Sequence, residues 1–276
     1  MGDPMPEFAS KYETLLLRRE RSRLYVTLNR PQVKNALNPV LVGELRTVFS
    51  NLRDRRDIKA VILRGAGGTF CAGADLKNME QTMSDKPRAG EKDPIAVGNR
   101  EYGIFLESVN TAPQVVIAAI EGYAIAGGFG LACCSDIAIS TEDAGFSMSE
   151  TAIGIVPAQI APFVAARIGV PNTRHLALTA ARFKGPEALR LGIVHYLVKD
   201  TAALDAKLEE VLKQVDRCAP LANALTKAVV MKVGTEPLSS VLDFASDQFA
   251  IARRSPEAAE GLRAFAEKRP PKWTLE

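Results

Sequence analysis

The sequence predicts an α/β fold built around a largely parallel sheet, and three observations support that class. Apolar runs typical of buried strands alternate with helical patterns over about the first two thirds of the 276 residues. Two of these runs end in stretches of small residues, and a helical pattern follows each stretch at once. From about residue 157 the pattern is mostly helical, with one short strand near 193–198. This order of elements favours parallel strands joined by right-handed crossovers.

The first predicted elements are two strands and a helix. Residues 12–18 and 23–29 are typical of strands joined by a charged turn, and the second strand alternates apolar and polar side chains. Asn38 and Pro39 then predict a helix start, with Asn as the cap and Pro in the first turn. The apolar face of this helix consists of Val42, Leu45, Val48, Phe49 and Leu52.

Two stretches of small residues organise the middle of the chain. Residues 70–76 (Phe-Cys-Ala-Gly-Ala-Asp-Leu) follow the predicted strand 58–64, and residues 122–130 follow the predicted strand 114–120. A strand that turns into a helix through small residues leaves backbone N–H groups free at the positive end of the helix dipole. Two such amides that converge on one point can stabilise a developing oxyanion. The sequence therefore predicts a site between these two turns.

The remaining elements complete the predicted core and a helical C-terminal part. Helices are indicated near 99–111 and 128–135, and strands at 136–140 and 144–148. A last helix begins at Ser255-Pro256. The apolar face of an earlier amphipathic helix consists of Leu204, Leu208, Val211, Leu212 and Val215.

Residues 82–98 interrupt the regular pattern, because they are polar and contain Gly and Pro. Two interpretations carry about equal weight. The segment is a mobile loop that forms part of a lid over the predicted site, or it is a disordered insertion at the surface.

Composition and charge exclude several classes of function. A hydrophobic content of 47% and a charged content of 24% are typical of an ordinary globular protein. The net charge of +3 comes without a basic block, which argues against nucleic acid and membrane surfaces as partners. No apolar run reaches the roughly 20 residues that span a bilayer, and no secretory signal is recognisable. The four cysteines and two histidines lack metal-ligand spacing, so we expect a reduced, cytoplasmic protein without a metal site.

Common catalytic motifs are also missing. A dinucleotide fingerprint needs three glycines in a fixed register, and neither residues 65–70 nor residues 128–133 provide the third. The chain has no phosphate loop and no Gly-x-Ser-x-Gly turn. Two histidines in the whole chain weigh against a Ser–His or Cys–His nucleophile. Redox chemistry, phosphoryl transfer and serine hydrolysis are therefore not predicted.

Four segments carry a family resemblance, in this order along the chain: residues 29–38, 71–76, 122–128 and 260–270. Together they resemble the enoyl-CoA hydratase/isomerase (crotonase) superfamily, and the resemblance extends from residue 12 to residue 270. It implies a core of ββα spiral units over residues 1–198 and a helical trimerisation segment over residues 199–276. It also implies a homotrimer or a dimer of trimers and an acyl-CoA thioester as substrate. CoA then arrives as part of the substrate, and no other cofactor is expected.

The resemblance assigns three catalytic positions. The backbone N–H groups of Ala74 and Gly127 match the pair that stabilises the thioester enolate in this family. Glu150 matches the second of the two glutamates that a typical hydratase uses, whereas the first glutamate corresponds here to Gly130. A single carboxylate can act first as base and then as acid if its pKa is suitable. Several Δ3,Δ2-enoyl-CoA isomerases resemble this chain in lacking the first glutamate.

Residues 149–164 resemble the branch that hydrates methylglutaconyl- or isohexenylglutaconyl-CoA. The predicted function is therefore hydration of the 2,3-double bond of an acyl-CoA thioester, with a branched glutaconyl-type ester as the finer hypothesis. Gln159 either helps to hold a water or the distal carboxylate of the substrate, or it caps a helix or faces solvent. Two alternatives stay open: an isomerase that uses Glu150 alone, and a non-catalytic acyl-CoA-binding relative.

Seven further residues match CoA-binding positions of the family. Two border the adenine pocket, three lie where the backbone contacts the pantetheine and adenine, and two come from a neighbouring subunit. The alternative interpretation makes the lysines solvated surface charges and the phenylalanine a core residue. The two adenine-pocket residues are Lys34 and Ala36, the three backbone-contact residues are Ala72, Asp75 and Leu76, and the two from a neighbouring subunit are Phe249 and Lys268.

Three other carboxylates are not assigned to the site. Asp136 follows a predicted helix and is interpreted as a cap or turn residue. Glu121 and Glu142 are expected at the surface.

Overall fold

A computed structural model describes residues 12–82, 86–87 and 90–274, and it has the predicted mixed α/β architecture. The main sheet has six strands in the order β1-β2-β3-β4-β6-β9. β1 pairs antiparallel with β2, and every other neighbouring pair in this sheet is parallel. The strands are β1 Leu15–Glu20, β2 Arg23–Leu28, β3 Ala60–Gly65, β4 Val115–Ile120, β6 Ile137–Thr141 and β9 Tyr196–Val198.

A second, smaller sheet has three strands in the order β5-β7-β8. They are β5 Tyr123–Ile125, β7 Gly145–Ser147 and β8 Arg182–Lys184. The helices before the C-terminal part are α1 Pro39–Leu52, α2 Leu76–Thr82, α3 Pro94–Asn110, α4 Gly127–Cys133, α5 Ala161–Thr179 and α6 Gly185–Arg190. The last four are α7 Thr201–Asp216, α8 Pro220–Val230, α9 Leu238–Arg253 and α10 Pro256–Ala266.

The chain winds as a spiral because it repeatedly passes from the main sheet to the small sheet and then to a helix. β4 leads to β5 and then α4, and β6 leads to β7. After β3, Cys71 forms a parallel bridge with Ala124 of β5, so this turn of the spiral also runs beside the small sheet. The turns that follow β3 and β4 therefore meet at the same edge of the molecule.

Both faces of the main sheet are buried, as expected for parallel strands. Alternate residues of β3 and β4 point to opposite faces. One face packs in the larger core cluster, together with buried residues of α1, α3, α4 and α5. The other face packs against α7 through Leu204, Leu208, Val211, Leu212 and Val215. α7 thus covers the sheet, although it falls within the predicted segment 199–276.

The C-terminal helices contact the end of the main sheet where the parallel strands begin. Lys227 of α8 pairs with Asp136, 2.7 Å away, just before β6. Asp136 also accepts a hydrogen bond from the backbone N–H of Val116, which fits its interpretation as a turn residue. Lys59, just before β3, donates to the carbonyl oxygen of Trp273. The turns that follow β3 and β4 lie at the opposite end.

Two sequence expectations are wrong in part. Residues 94–98 belong to α3, because Asp93 caps the helix and Pro94 occupies its first position. The remainder of the predicted loop includes residues 83–85 and 88–89, which lie outside the described residues. Glu121 was expected at the surface, but it is 8% exposed. It accepts hydrogen bonds from the guanidinium group of Arg64 and the hydroxyl of Thr201. Glu142 is exposed, as predicted.

Among the helices of the described residues, none combines the length and the apolar character that crossing a bilayer requires.

Candidate active site

The two turns predicted to form a site are in direct contact. The backbone N–H of Cys71 donates to the carbonyl of Tyr123 at 2.8 Å, and the N–H of Ile125 donates to the carbonyl of Cys71 at 3.0 Å. Gly73 has a φ of +92°, and a β-carbon there would lie 2.9 Å from the Ile125 carbonyl oxygen and 3.5 Å from the Gly127 nitrogen. Only glycine fits this conformation and this approach. The segment that leads to Ala74 is therefore packed against the start of α4.

Two backbone amides remain free at this junction. Among the hydrogen bonds of the described residues, neither the N–H of Ala74 nor that of Gly127 donates to a protein acceptor. Gly127 is the first residue of α4, so its amide lies at the positive end of the helix dipole. Ala126, the cap of this helix, has a φ of 48°, which is unusual for a residue with a β-carbon. This turn holds the Gly127 amide free of helical hydrogen bonds.

A neighbouring segment fixes the backbone around Ala74. Residues 34–37 run parallel to residues 72–75, with hydrogen bonds from the Ala72 N–H to the Lys34 carbonyl at 3.0 Å and from the Leu37 N–H to the Gly73 carbonyl at 2.7 Å. The N–H of Asp75 donates to the Leu37 carbonyl at 2.9 Å. These bonds use the Gly73 carbonyl and the Asp75 N–H on either side of Ala74 and leave the Ala74 N–H unused.

Asn35 and Arg30 hold this segment in place. Asn35 is completely buried. Its side-chain oxygen accepts from the Arg30 N–H at 2.9 Å, and its side-chain nitrogen donates to the carbonyls of Ala66 and Thr69 at 2.9 and 2.6 Å. The Arg30 guanidinium group pairs with the Asp75 carboxylate at 2.9 Å, and both side chains are largely buried. The motif residues 29–38 therefore hold the backbone segment that carries the Ala74 amide.

Glu150 lies close to the same junction. The N–H of Ala126 donates to the carbonyl of Ser147, the last residue of β7, at 2.8 Å. A short 3₁₀ turn, Glu150–Ile153, follows β7. Glu150 is 8% exposed, and its Oε2 atom is buried without a hydrogen-bond partner among the described residues. Burial raises the pKa of this carboxyl group above its ordinary value.

Position 130, where a typical hydratase has its first glutamate, is closed by packing. Gly130 lies on α4 and is buried. A β-carbon there would lie 2.2 Å from Cγ2 of Ile160, which is 2% exposed. The apolar side chain of Ile160 therefore occupies the space that a longer side chain at position 130 would need.

Tyr102 is a site residue that the sequence reasoning missed. Its hydroxyl donates to the carbonyl oxygen of Gly127 at 2.7 Å, and its ring packs on Phe105 with a centroid distance of 5.9 Å. Burial raises the pKa of Tyr102 well above its ordinary value. An aromatic residue on the apolar face of a helix is typical of core packing, so the sequence contained no signal for this role.

Comparison with known proteins assigns the chain to a family. A model described as enoyl-CoA hydratase/isomerase matches residues 18–276. The chain belongs to the enoyl-CoA hydratase/isomerase family. Members of this family act on acyl-CoA thioesters, and the predicted superfamily and its fold are confirmed.

Individual relatives cover almost the whole chain. A carnitinyl-CoA dehydratase of Escherichia coli strain K12 is 33% identical over 267 residues, which are 95% of this chain and 98% of the relative. The structure of Pseudomonas aeruginosa AtuE is 50% identical, with a TM-score of 0.90 over 95% of this chain and 100% of that one. An enoyl-CoA hydratase/isomerase structure from Marinobacter aquaeolei is 47% identical, with a TM-score of 0.91 over 95% and 99% of the two chains.

Gln159 belongs to a polar group on α3. Its side-chain nitrogen donates to the Asn99 side-chain oxygen at 2.9 Å. A β-carbon at Gly103 would lie 1.9 Å from Oε1 of Gln159 and 2.9 Å from Nη1 of Arg100. Glycine at position 103 therefore leaves space on α3 for both the Gln159 amide and the Arg100 guanidinium group. Gln159 is partly exposed and its bond to Asn99 lies at the surface, so a side chain that faces solvent is compatible with the structure.

The predicted CoA-binding residues divide into two sets. Five lie along the paired segments 34–37 and 72–76: Lys34, Ala36, Ala72, Asp75 and Leu76. Lys34 is exposed, with its ammonium group 5.0 Å from the centre of the Tyr123 ring, and Leu76 is 59% exposed. Phe249 and Lys268 lie instead in the C-terminal helical part. Phe249 is 71% exposed, so it is not the core residue that the alternative interpretation required.

Proposed function

We propose that this chain is an enoyl-CoA hydratase that adds water to the 2,3-double bond of an acyl-CoA thioester, with Glu150 as its acid and base. The observation that carries the proposal is a buried carboxylate with a free oxygen beside two free amides. Glu150 and Glu121 are the two buried carboxylates of the described residues, and Glu121 is fully engaged with Arg64 and Thr201. Glu150 is therefore the group with capacity for chemistry.

In the proposed reaction the thioester carbonyl oxygen accepts hydrogen bonds from the N–H groups of Ala74 and Gly127. Negative charge develops on that oxygen when the double bond is attacked. Fixed donors at such a position lower the barrier by about 3 kcal/mol each. The hydrogen bonds on both sides of Ala74 and the turn at Ala126 hold the donors in advance, so little reorganisation is needed during the reaction.

Glu150 is proposed to carry out both proton-transfer steps, first as base and then as acid. A water molecule gives one proton to the Glu150 carboxylate while its oxygen bonds to C3, and the electrons of the C2–C3 double bond pass into the thioester as an enolate. The enolate then takes the proton from Glu150 at C2, and the carboxylate is restored. Burial raises the pKa of Glu150 towards the range in which one group can accept and return a proton.

A branched glutaconyl-type ester is the substrate that we propose within this class. Such an ester has a second carboxylate at the far end of its acyl chain. Asn99, Arg100 and Gln159 form a polar group on α3, in which Arg100 also pairs with Glu107 at 3.1 Å. A guanidinium group with adjacent amides is suited to binding a carboxylate. The resemblance of residues 149–164 to the glutaconyl branch supports the same substrate.

We also propose that CoA is bound along residues 34–37 and 72–76 and that a second copy of the chain completes the site. Phe249 and Lys268 belong to the part of the chain that contacts the opposite end of its own sheet. Contact with CoA therefore requires these residues from a neighbouring copy. Several apolar residues of this part are exposed, which suits a trimer: Val230, Val233, Leu238, Leu242, Phe249, Leu262 and Phe265.

A Δ3,Δ2-enoyl-CoA isomerase is the second candidate, because it also needs one carboxylate and two amides. Glu150 would then carry a proton from C2 to C4 without adding water. The closed space at Gly130 favours this alternative, since a second carboxylate is not available there. The polar group of Arg100, Asn99 and Gln159 favours hydration of a carboxylated ester.

The test is mass spectrometry of a panel of 2-enoyl- and 3-enoyl-CoA esters, with and without a distal carboxylate. Wild type, Glu150→Gln and Glu142→Gln are compared, because Glu142 is an exposed carboxylate of the same region. Gain of one water by a 2-enoyl ester, lost in Glu150→Gln and kept in Glu142→Gln, supports the hydratase. An unchanged mass with a moved double bond supports the isomerase. Tight binding without conversion of any ester contradicts both.

The same panel tests the distal carboxylate. Arg100→Gln is expected to lower kcat/KM for a glutaconyl-type ester about tenfold, the loss of one charge-assisted hydrogen bond, and to leave crotonyl-CoA unchanged. Arg190→Gln is the matched control, because Arg190 is also an exposed helical arginine paired with a glutamate. An equal effect on both esters would contradict the proposed carboxylate contact.

A further inference from the structure

We propose that the Tyr102 hydroxyl holds the attacking water together with Glu150, in place of a carboxylate at position 130. This inference rests on the hydratase function proposed above and adds to it a second water-binding group. Tyr102 contacts the backbone of Gly127, whose N–H is one of the two free amides.

The hydrogen-bonding capacity of Tyr102 determines its role. A tyrosine hydroxyl has one proton to donate and two lone pairs that accept. The proton is used, because it is donated to the Gly127 carbonyl at 2.7 Å. What the hydroxyl offers to a neighbour is therefore an acceptor. The Oε2 atom of Glu150 is also a buried acceptor without a partner among the described residues.

Two buried acceptors near each other fit one water molecule between them. A water has two protons to donate, and it can give one to the Tyr102 oxygen and the other to Glu150. Backbone contacts bring the two groups to the same turn. Tyr102 bonds to the Gly127 carbonyl, and the N–H of the preceding Ala126 bonds to the carbonyl of Ser147 at 2.8 Å, just before the turn that begins with Glu150. A water held by both of its protons directs its lone pairs away from these two residues, towards a bound thioester. This is the orientation that attack at C3 requires.

Packing explains why tyrosine has this position. A β-carbon at residue 127 would lie 3.0 Å from the Tyr102 hydroxyl oxygen, so glycine is needed for the close approach. The ring of Tyr102 is supported by Phe105, which is completely buried. On the other side, Ile160 fills the space next to Gly130. The polar group at the water position therefore comes from α3 and not from α4.

A conservative variant separates a water-binding role from a structural one. Tyr102→Phe keeps the ring and removes the hydroxyl. Two reactions are measured: hydration of a 2-enoyl-CoA ester, and exchange of the C2 protons of butyryl-CoA in D2O by NMR. Exchange needs Glu150 to remove and return a proton and the amides of Ala74 and Gly127 to stabilise the enolate, but it needs no water addition. Tyr196→Phe is the control, because Tyr196 is partly buried in β9.

We expect kcat for hydration to fall about 10- to 100-fold in Tyr102→Phe, which is the effect of one lost hydrogen bond to the reacting water. KM and the exchange rate should change less than about threefold, because the Ser147 and Gly130 backbone hydrogen bonds still hold the Ala126–Gly127 turn. Tyr196→Phe should match wild type in both reactions, and the melting temperatures show whether each variant is folded.

Three results would overturn the inference. Equal loss of hydration and exchange in Tyr102→Phe would mean that the hydroxyl acts through the Gly127 peptide. Unchanged hydration would mean that it has no part in the reaction. A wild-type protein that catalyses exchange but hydrates no ester would refute the proposed function itself, and the inference with it.

Discussion

At the scale of single residues, Glu150 combines two properties that seldom occur together in a folded protein. It is a carboxylate that is 8% exposed, and one of its oxygens has no partner among the described residues. Burying an ionised group without compensation costs free energy, and the raised pKa of Glu150 expresses that cost. The ionised side chain therefore reduces the stability of the folded protein.

This cost predicts how stability depends on pH. A carboxyl group whose pKa is higher in the folded than in the unfolded protein binds its proton more tightly when folded. The contribution of Glu150 to stability is then most favourable below the unfolded pKa of about 4.3, and it decreases as pH rises towards the folded pKa. Glu150→Gln removes this dependence, because glutamine stays neutral. We expect the variant to melt close to wild type at pH 4.5 and at a higher temperature at pH 7.5.

Thermal unfolding at both pH values measures the effect. Glu142→Gln serves as the control, since its exposed carboxylate should give the same difference from wild type at both pH values. A Glu150→Gln variant that melts below wild type at pH 7.5 would contradict a destabilising carboxylate.

Sequence reasoning located the two turns by local pattern, because small residues stand between a strand and a helix at each. The family resemblance then assigned Ala74, Gly127 and Glu150 as candidate catalytic positions. Tyr102 does not follow, because its role depends on a contact with Gly127 across 25 residues of sequence. An aromatic residue on the apolar face of a helix is expected in the core, and the sequence around it does not indicate such a contact.

At the scale of elements, the site depends on close packing between α4 and α5. Gly130 of α4 is in contact with Ile160, which immediately precedes α5. An apolar contact between these two residues is thus found where a typical hydratase has a glutamate side chain. The departure from the family pattern is thus a feature of two elements and not of one position.

Restoring the usual glutamate is therefore expected to fail as a single change. Gly130→Glu places a β-carbon 2.2 Å from Ile160, and overpacking of this kind costs about 1–3 kcal/mol of unfolding free energy. Chemical denaturation should show this loss, together with reduced hydratase activity. The double variant Gly130→Glu/Ile160→Ala should recover part of the stability, because the smaller side chain opens space.

Gly43→Glu is the matched control for this substitution. Gly43 lies in α1, and a β-carbon there would have no atom within 4 Å. The control should be neutral or up to about 1 kcal/mol more stable, since glycine is a poor helix former. Equal effects at positions 130 and 43 would mean that the packing against Ile160 is not the cause.

The long elements were predictable from the sequence, and the short ones were not. β4 and α1 have clear apolar runs or faces, so their predicted positions differ from the observed ones by a residue or two. β8 has three residues, too few for an alternating pattern to appear. The start of α3 was missed because Pro94 and Gly98, which are typical of loops, flank a short apolar stretch that follows the polar residues 91–93.

At the scale of the whole molecule, the candidate site and the C-terminal helices lie at opposite ends of the main sheet. The site follows the carboxyl ends of β3 and β4, whereas Lys227 and Trp273 contact residues just before β6 and β3. Within one chain, the C-terminal helices cannot cover a ligand at the site without leaving the sheet. Their exposed apolar residues form the surface that we propose for contact with another copy.

This arrangement predicts that assembly and CoA binding are lost together. Phe265 of α10 is 86% exposed, and Phe265→Arg places a charge on the proposed contact surface. Sedimentation velocity should show a trimer or a larger assembly for wild type and a smaller species for the variant. KM for the CoA ester should rise at least about tenfold in the variant, because Phe249 and Lys268 of the neighbouring copy no longer reach the ligand. The secondary structure measured by circular dichroism should stay unchanged.

Leu16→Arg separates this surface from exposed apolar residues in general. Leu16 lies on β1 and is 54% exposed, so the variant adds the same charge at a position outside the C-terminal helices. It should keep the wild-type assembly and the wild-type KM. A wild-type protein that sediments as a monomer while binding CoA esters tightly would contradict completion of the site by a neighbour, and CoA would then be held by residues 34–37 and 72–76 of one chain alone.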